Sequence, residues 1–190
     1  MKHMHIENEN SKKTFVKLIA LLSFVLFVFI STNLVWIFTT YIPYHNFASN
    51  LEKFEEDGKY VYYEKNVGGY TYHLSMPEYL DFSGFLSVSD SEGYVVTQDN
   101  DGNITSTNGI SITLFIWPKV FSDYKYGVFI LDDAQGIWEQ IYIDKNLKYI
   151  PVKENVGNKE LNDYIEKLIA DNYEEIKTLM SKAYSFWDFS

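Results

Sequence analysis

The chain has no cysteine and no arginine among its 190 residues. Lack of cysteine excludes a disulfide framework, a thiol nucleophile and any Cys-ligated zinc or iron–sulfur site. Lack of arginine removes the planar fork that usually reads phosphate or guanine, and all 16 basic residues are lysines. The formal net charge of −10 repels a polyanion, so nucleic acid is not an expected partner. Histidine is scarce: His3, His5, His45 and His73. No Gly-x-Ser-x-Gly elbow, His-Glu-x-x-His pair or phosphate-cradling glycine loop occurs. No internal repeat of fixed length is present, so neither a solenoid nor a propeller is expected.

Aromatic residues, by contrast, make up 18% of the chain, with 16 Tyr, 14 Phe and 4 Trp. Charge is unevenly placed. Lys2, Lys12, Lys13 and Lys17, with Glu7 and Glu9, precede an uncharged apolar run over residues 18–42. Residues 43–190 hold the other 12 lysines and 24 acids, a formal charge of −12. As a helix the 25-residue run would reach roughly 37 Å at 1.5 Å per residue, beyond the ~30 Å hydrocarbon core of a bilayer. Trp36, Tyr41 and Tyr44 mark one end as an interfacial belt, and Pro43 reads as a stop. Lys12, Lys13 and Lys17 flank the other end. The positive-inside rule then predicts a cytoplasmic stub over 1–17, a single-pass membrane anchor over 18–42 and an extracytoplasmic domain beyond. The run is too long for a cleaved signal peptide, and Thr40-Tyr41-Ile42 is not a small-x-small cleavage site. Lipoprotein processing needs a cysteine, and the Gly and Glu of a pilin-like leader are missing around Lys13–Lys17. Asn33 reads as one amide tolerated within the span.

Phe47, Leu51 and Phe54 recur at helical spacing, which predicts a helical stalk over 43–58. From residue 59 the period is two. Alternating runs at 59–65, 70–76, 82–89, 94–98, 103–107, 110–117, 127–131 and 137–143 are separated by Gly-, Asn- and Asp-rich turns. The pattern predicts an antiparallel β-meander. Leu161, Ile165, Leu168, Ile169, Ile176, Leu179, Ala183 and Trp187 then follow a helical period, with Asn158 as N-cap, which predicts one long amphipathic helix over 159–186. The expected fold class is α+β: a transmembrane helix, then a meander sheet over 59–190 packed by a long C-terminal helix.

Strand alternation also sorts the sheet's two faces. Leu86, Val88, Ile110, Ile112, Leu114, Ile116, Ile137, Ile141 and Ile143 share one, the face expected under the helix. Phe85, Phe115, Trp117, Trp138 and Tyr142 share the other with Ser and Thr. An aromatic–polar face left open by a single helix has the composition of a protein-binding surface, and these five residues are the candidate partner-binding set. The competing reading is a sheet curled to bury both faces.

The residues suggest no reaction, so no enzyme activity, catalytic residue, cofactor or metal is expected. His73, the only domain histidine, alternates out of step with Tyr72 and Leu74 and reads as a bystander on a solvated face. Asp99, Asp101, Asp132 and Asp133 flank turns, where Asp is common. Asp99-Asn100-Asp101-Gly102 echoes an EF-hand loop. Aligned on Gly102, however, Thr97 and Asn108 stand at the first and twelfth ligand positions, which removes required oxygens.

A short stub, one uncleaved anchor and a small acidic ectodomain, in a lysine-only chain without cysteine, suggest low-GC Gram-positive surface biology. In layout the chain resembles the TipC-type immunity proteins. The resemblance implies a membrane-held inhibitor of a toxin that arrives from outside through a type VII secretion pathway, and the charge of −12 over residues 43–190 leads us to expect a basic partner. The other expectations are an accessory or sensory subunit of a cell-envelope complex, and a carboxylate-dependent envelope hydrolase.

Overall fold

The computed structural model describes residues 2–56, 60–82, 84–90, 96–98, 104–106, 110–118, 124–132, 137–155 and 157–189. Side chains at 2–12, 56, 60, 96–98, 104–106, 110, 132, 137–139 and 154 are outside the description.

The N-terminal run forms helix α1, Lys2–Trp36. It continues through a π-helical turn, Ile37–Tyr41, into α2, Ile42–Ala48. Pro43 therefore does not stop the helix. Its ring would strike the carbonyl four residues back in a regular α-helix. The wider turn, in which the Ile42 N–H bonds to the Ile37 carbonyl, absorbs it. The helical stretch Lys13–Ala48 holds an 18-residue window of mean hydropathy 2.5, none of it buried, and is long and apolar enough to cross a membrane.

The expected helical stalk over 43–58 is corrected. Helix ends at Ala48, the Leu51 N–H bonds back to the Ala48 carbonyl at 2.9 Å, and Glu52–Glu56 forms strand β1. Phe54, read as the last residue of a helical stripe, instead stacks on Tyr62 across the β1–β2 pair. A three-residue stripe is too short to separate the two periods.

Seven strands form one antiparallel sheet in the order β1-β2-β3-β4-β7-β8-β9. Beyond β1 these are β2 (Tyr60–Val67), β3 (Tyr70–Ser75), β4 (Phe85–Asp90), β7 (Ile110–Trp117), β8 (Lys125–Asp132) and β9 (Ile137–Ile143). Gly68 and Gly69 both have positive φ, 61° and 81°, as the tight β2–β3 turn demands. The strict meander is corrected at one point. β4 does not pair with the run near 94–98; its neighbour is β7, with Leu86 opposite Ile116 and Val88 opposite Leu114. That register extends the aliphatic rows. Among the described residues, the intervening β5 (Val96–Gln98) and β6 (Ile104–Ser106) pair only with each other.

The aliphatic face is covered, as the alternation predicts. Leu74, Leu86, Val88, Ile112, Leu114, Ile116, Val128, Ile130, Ile141 and Ile143 are buried in one core with Ile176 and Leu179. The covering layer is two helices, not one: α3 (Lys159–Asp171) and α4 (Tyr173–Trp187). The break falls at Asn172, whose side-chain amide donates to the Leu168 carbonyl at 2.8 Å. Asn competes with the helix backbone in this way, and here it caps α3 while its own carbonyl opens α4. Asn158 caps α3 at the other end by accepting from the Leu161 N–H at 3.2 Å. Helix α4 lies across β4 and β7, with Ile176, Leu179, Ala183 and Trp187 inward.

The end of the helical run joins this core through Tyr44 and Ala48. Trp36, Thr40, Tyr44 and Ala48 recur every four residues and are all buried. The Tyr44 hydroxyl donates to the Gly84 carbonyl. A Cβ at Gly84 would lie 2.5 Å from the Tyr44 ring and 2.8 Å from the Ser75 carbonyl, so the joint between helix and domain requires glycine there.

Candidate aromatic binding face

The sheet face opposite α3 and α4 carries a row of rings running from β1 to β9. Phe54 stacks on Tyr62 at 5.4 Å, Tyr62 on His73 at 5.2 Å and His73 on Phe85 at 5.9 Å. Phe85 then meets Phe115 at 5.4 Å, Phe115 meets Trp117 at 5.8 Å, and Trp117 meets Tyr142 at 5.8 Å. Register explains the row. Tyr62 and Phe85 both pair with Ser75, and His73, two residues along β3 on the same face, touches both rings. At ~4.8 Å between strands, seven strands put the row's ends roughly 29 Å apart.

Glycine makes room at the far end. Gly127 lies between Phe115 and Tyr142 in the register, on the ring-bearing face. A Cβ there would be 2.9 Å from the Trp117 indole, so the ring lies directly over the β8 backbone. Lys125 finishes the row, its ammonium 3.6 Å from the centre of the Tyr142 ring and 5.5 Å from that of Trp117. Such cation–π contacts are worth about 0.5–2 kcal/mol each, depending on desolvation.

Of the five expected residues, Phe85, Phe115, Trp117 and Tyr142 are on this face, in mutual contact and half-buried. The side chain of Trp138 is outside the described residues; its backbone pairs with Leu131. None of the four described rings belongs to the buried core, and no described helix crosses their face. Sequence reasoning missed Phe54, Tyr62 and His73. The alternation of Tyr62 with Tyr63, and of His73 with Tyr72 and Leu74, already placed these rings opposite the aliphatic side.

His73 is consequently no solvated bystander. It is half-buried between Tyr62 and Phe85, with Nδ1 3.7 Å from a Glu64 carboxylate oxygen. Burial lowers its pKa below the usual imidazole value, and the Glu64 carboxylate opposes the shift without cancelling it. The imidazole is neutral near pH 7 and acts as a flat ring in the row.

Among the described residues, the face offers stacking rings, the Lys125 ammonium and the His73–Glu64 pair. Among the described residues, no group of three or more His, Asp or Glu could hold a metal ion. The EF-hand-like run at 99–102 and the acid at 133 lie outside the described residues. No protein-family model, curated protein sequence or solved structure matches this chain.

Proposed function

We propose that the chain is a single-pass, membrane-anchored binding protein whose outward-facing domain captures a basic protein on the aromatic sheet face. Neutralisation of a secreted toxin is the sharpest form of this reading. The observation that carries it is the half-exposed row of rings on the sheet face without helices. Large aromatics held rigidly contribute disproportionately to interface energy. With ~20 Å of strand length, the ~29 Å row covers roughly 600 Å², near the ~800 Å² each partner gives a standard interface. The charge of −12 over residues 43–190 favours a basic partner and steers its approach, so association should slow as salt is added. The lysines at 12, 13 and 17 support an inward N-terminus and an outward domain.

Two experiments test the reading. Protease added to intact, wall-stripped cells should cut the domain and spare the segment before Lys17; the reverse pattern overturns the orientation. For binding, cells exporting a basic secreted protein encoded beside this chain should survive with the wild-type chain and fail with Trp117→Ala at equal membrane abundance. Full protection by Trp117→Ala would remove the aromatic face from consideration.

A further inference from the structure

The β3–β4 loop touches the apolar helix within the run read above as the membrane span. The Tyr79 hydroxyl donates to the Asn33 side-chain oxygen. The Trp36 ring meets Tyr79 edge-on at 5.3 Å, and the Trp36 indole N–H donates to the Asp81 carbonyl at 2.8 Å. Asn33 in turn donates to the Phe29 carbonyl at 2.8 Å. The amide inside the apolar run is thus satisfied by the outer domain, not left to lipid.

Length fixes the level of this contact. A ~30 Å hydrocarbon core takes about 20 helical residues. Counted from residue 18, just after Lys17, it ends at residue 37, so Asn33 lies about 6 Å inside the outer boundary. Centring the 25-residue run 18–42 puts Asn33 about 10 Å inside. In either placement the loop tip is at or below the membrane surface. Its side chains suit that place: Tyr79 is 61% exposed and Phe82 43%, beside Phe38 at 66% on the helix. Tyrosine and tryptophan prefer the interface, while the exposed carboxylates of Glu78 and Asp81 hold the loop at headgroup level. The tip is a turn closed by the Asp81 N–H on the Glu78 carbonyl at 2.9 Å, with Leu80 at φ 60°, a strained conformation for leucine.

We propose that residues 77–82 form a membrane-docking loop, with Tyr79 and Phe82 seated in the outer headgroup–acyl boundary against the anchor helix. The occupant is the lipid surface itself, continuous with the lipid around the span. The domain is then held at a fixed tilt to the membrane. This rests on the membrane-span reading above, and the experiment separates the two.

Absence of cysteine makes the full chain a ready background for single-site labels. Phe27→Cys, Phe82→Cys and Asn66→Cys, at mid-span, loop and hairpin tip, would each carry a nitroxide in phosphatidylcholine–phosphatidylglycerol vesicles. Collision with a water-soluble nickel chelate and with oxygen then reports depth. The Phe82 label should collide with nickel at least about threefold less than the Asn66 label and more than the Phe27 label, as expected at an interface. Where the Phe82 label is open to nickel, a Glu78→Cys label decides, because it keeps both aromatics: shielding supports the docked loop and accessibility refutes it. A shielded Phe27 label beside accessible Phe82 and Glu78 labels overturns the docking alone. An accessible Phe27 label overturns the span and the docking with it.

Discussion

Gly127→Ala tests the geometry of the aromatic row most directly. The added methyl would lie 2.9 and 3.0 Å from two carbons of the Trp117 ring and 3.1 Å from the Ile141 carbonyl oxygen. Carbon atoms pack comfortably at about 3.5–4.0 Å, so the indole must lift by about half an ångström or more. The ring cannot bend, and the carbonyl belongs to the neighbouring strand, so neither contact relaxes cheaply. Overpacking of this kind costs about 1–3 kcal/mol. Loss of glycine's freedom in the unfolded chain returns about 0.4–1 kcal/mol. The net is a destabilisation of up to about 2.6 kcal/mol, centred near about 1.3, or a Tm lower by about 3–5 °C at that centre for a chain of this size. Melting of the full chain in detergent, followed by near-UV circular dichroism, would read it. The decisive arm is the Trp117→Leu background. With the indole gone only the Ile141 carbonyl contact remains, so Gly127→Ala should cost clearly less there, and the two substitutions should couple. An equal cost in both backgrounds would mean that the indole does not lie over β8, and the row would end at Phe115.

Three further outcomes are expected. Ile176→Ala, at a fully buried site on α4, should cost about 2–5 kcal/mol and lower the Tm clearly; unchanged melting would mean α4 does not cover the sheet. Asn158→Ala should cost about 1 kcal/mol through loss of the α3 cap, and no loss in a melting comparison would show that the cap bond is replaced by water. His73 carries a lowered folded pKa against about 6.5 in the unfolded chain, so below about pH 6.5 the unfolded chain binds a proton that the folded one resists. Stability should therefore fall as pH drops through that window, and His73→Phe should flatten that part of the Tm–pH curve; an identical curve would rule His73 out as the source.

The parts of the fold legible in the sequence were those fixed by period alone. The apolar run, the strands at 110–117 and 137–143, and the placing of Leu86, Val88, Ile112 and Leu114 on one face all follow from spacing, and those four side chains are buried together. What failed were boundaries decided by a single competing interaction. A π turn let the helix run past Pro43, a side-chain bond at Asn172 split the C-terminal helix, and a partner across the sheet drew Phe54 into a strand. Pairing failed where it is non-local: β4 joins β7 because their aliphatic rows match, which no turn signal announces. The aromatic set was partly legible for the same reason. Alternation placed Phe85, Phe115, Trp117 and Tyr142 correctly on one face, but His73, between the rings of Tyr62 and Phe85, was read by its titration chemistry and not by its shape.

The row of rings also bears on how loss of binding must be judged. Four of its contacts join neighbouring strands, and a fifth, Trp117 to Tyr142, reaches over Gly127 from β7 to β9. At about 0.2–1 kcal/mol each, the five together contribute about 1–5 kcal/mol. A domain's whole net stability is about 5–15 kcal/mol. Among the described residues no second layer covers the face, and the ring contacts help to hold it while it stays half-exposed. If the row is the binding face proposed above, any substitution in it moves stability and recognition at once. A Trp117 variant that fails to protect cells is informative only beside a variant equally destabilised elsewhere, and Ile176→Ala supplies one on the opposite face. Where both melt alike and only Trp117→Ala loses protection, the ring acts through contact. Where both lose it, the aromatic row is a stabilising layer, and the partner must be met by the loops.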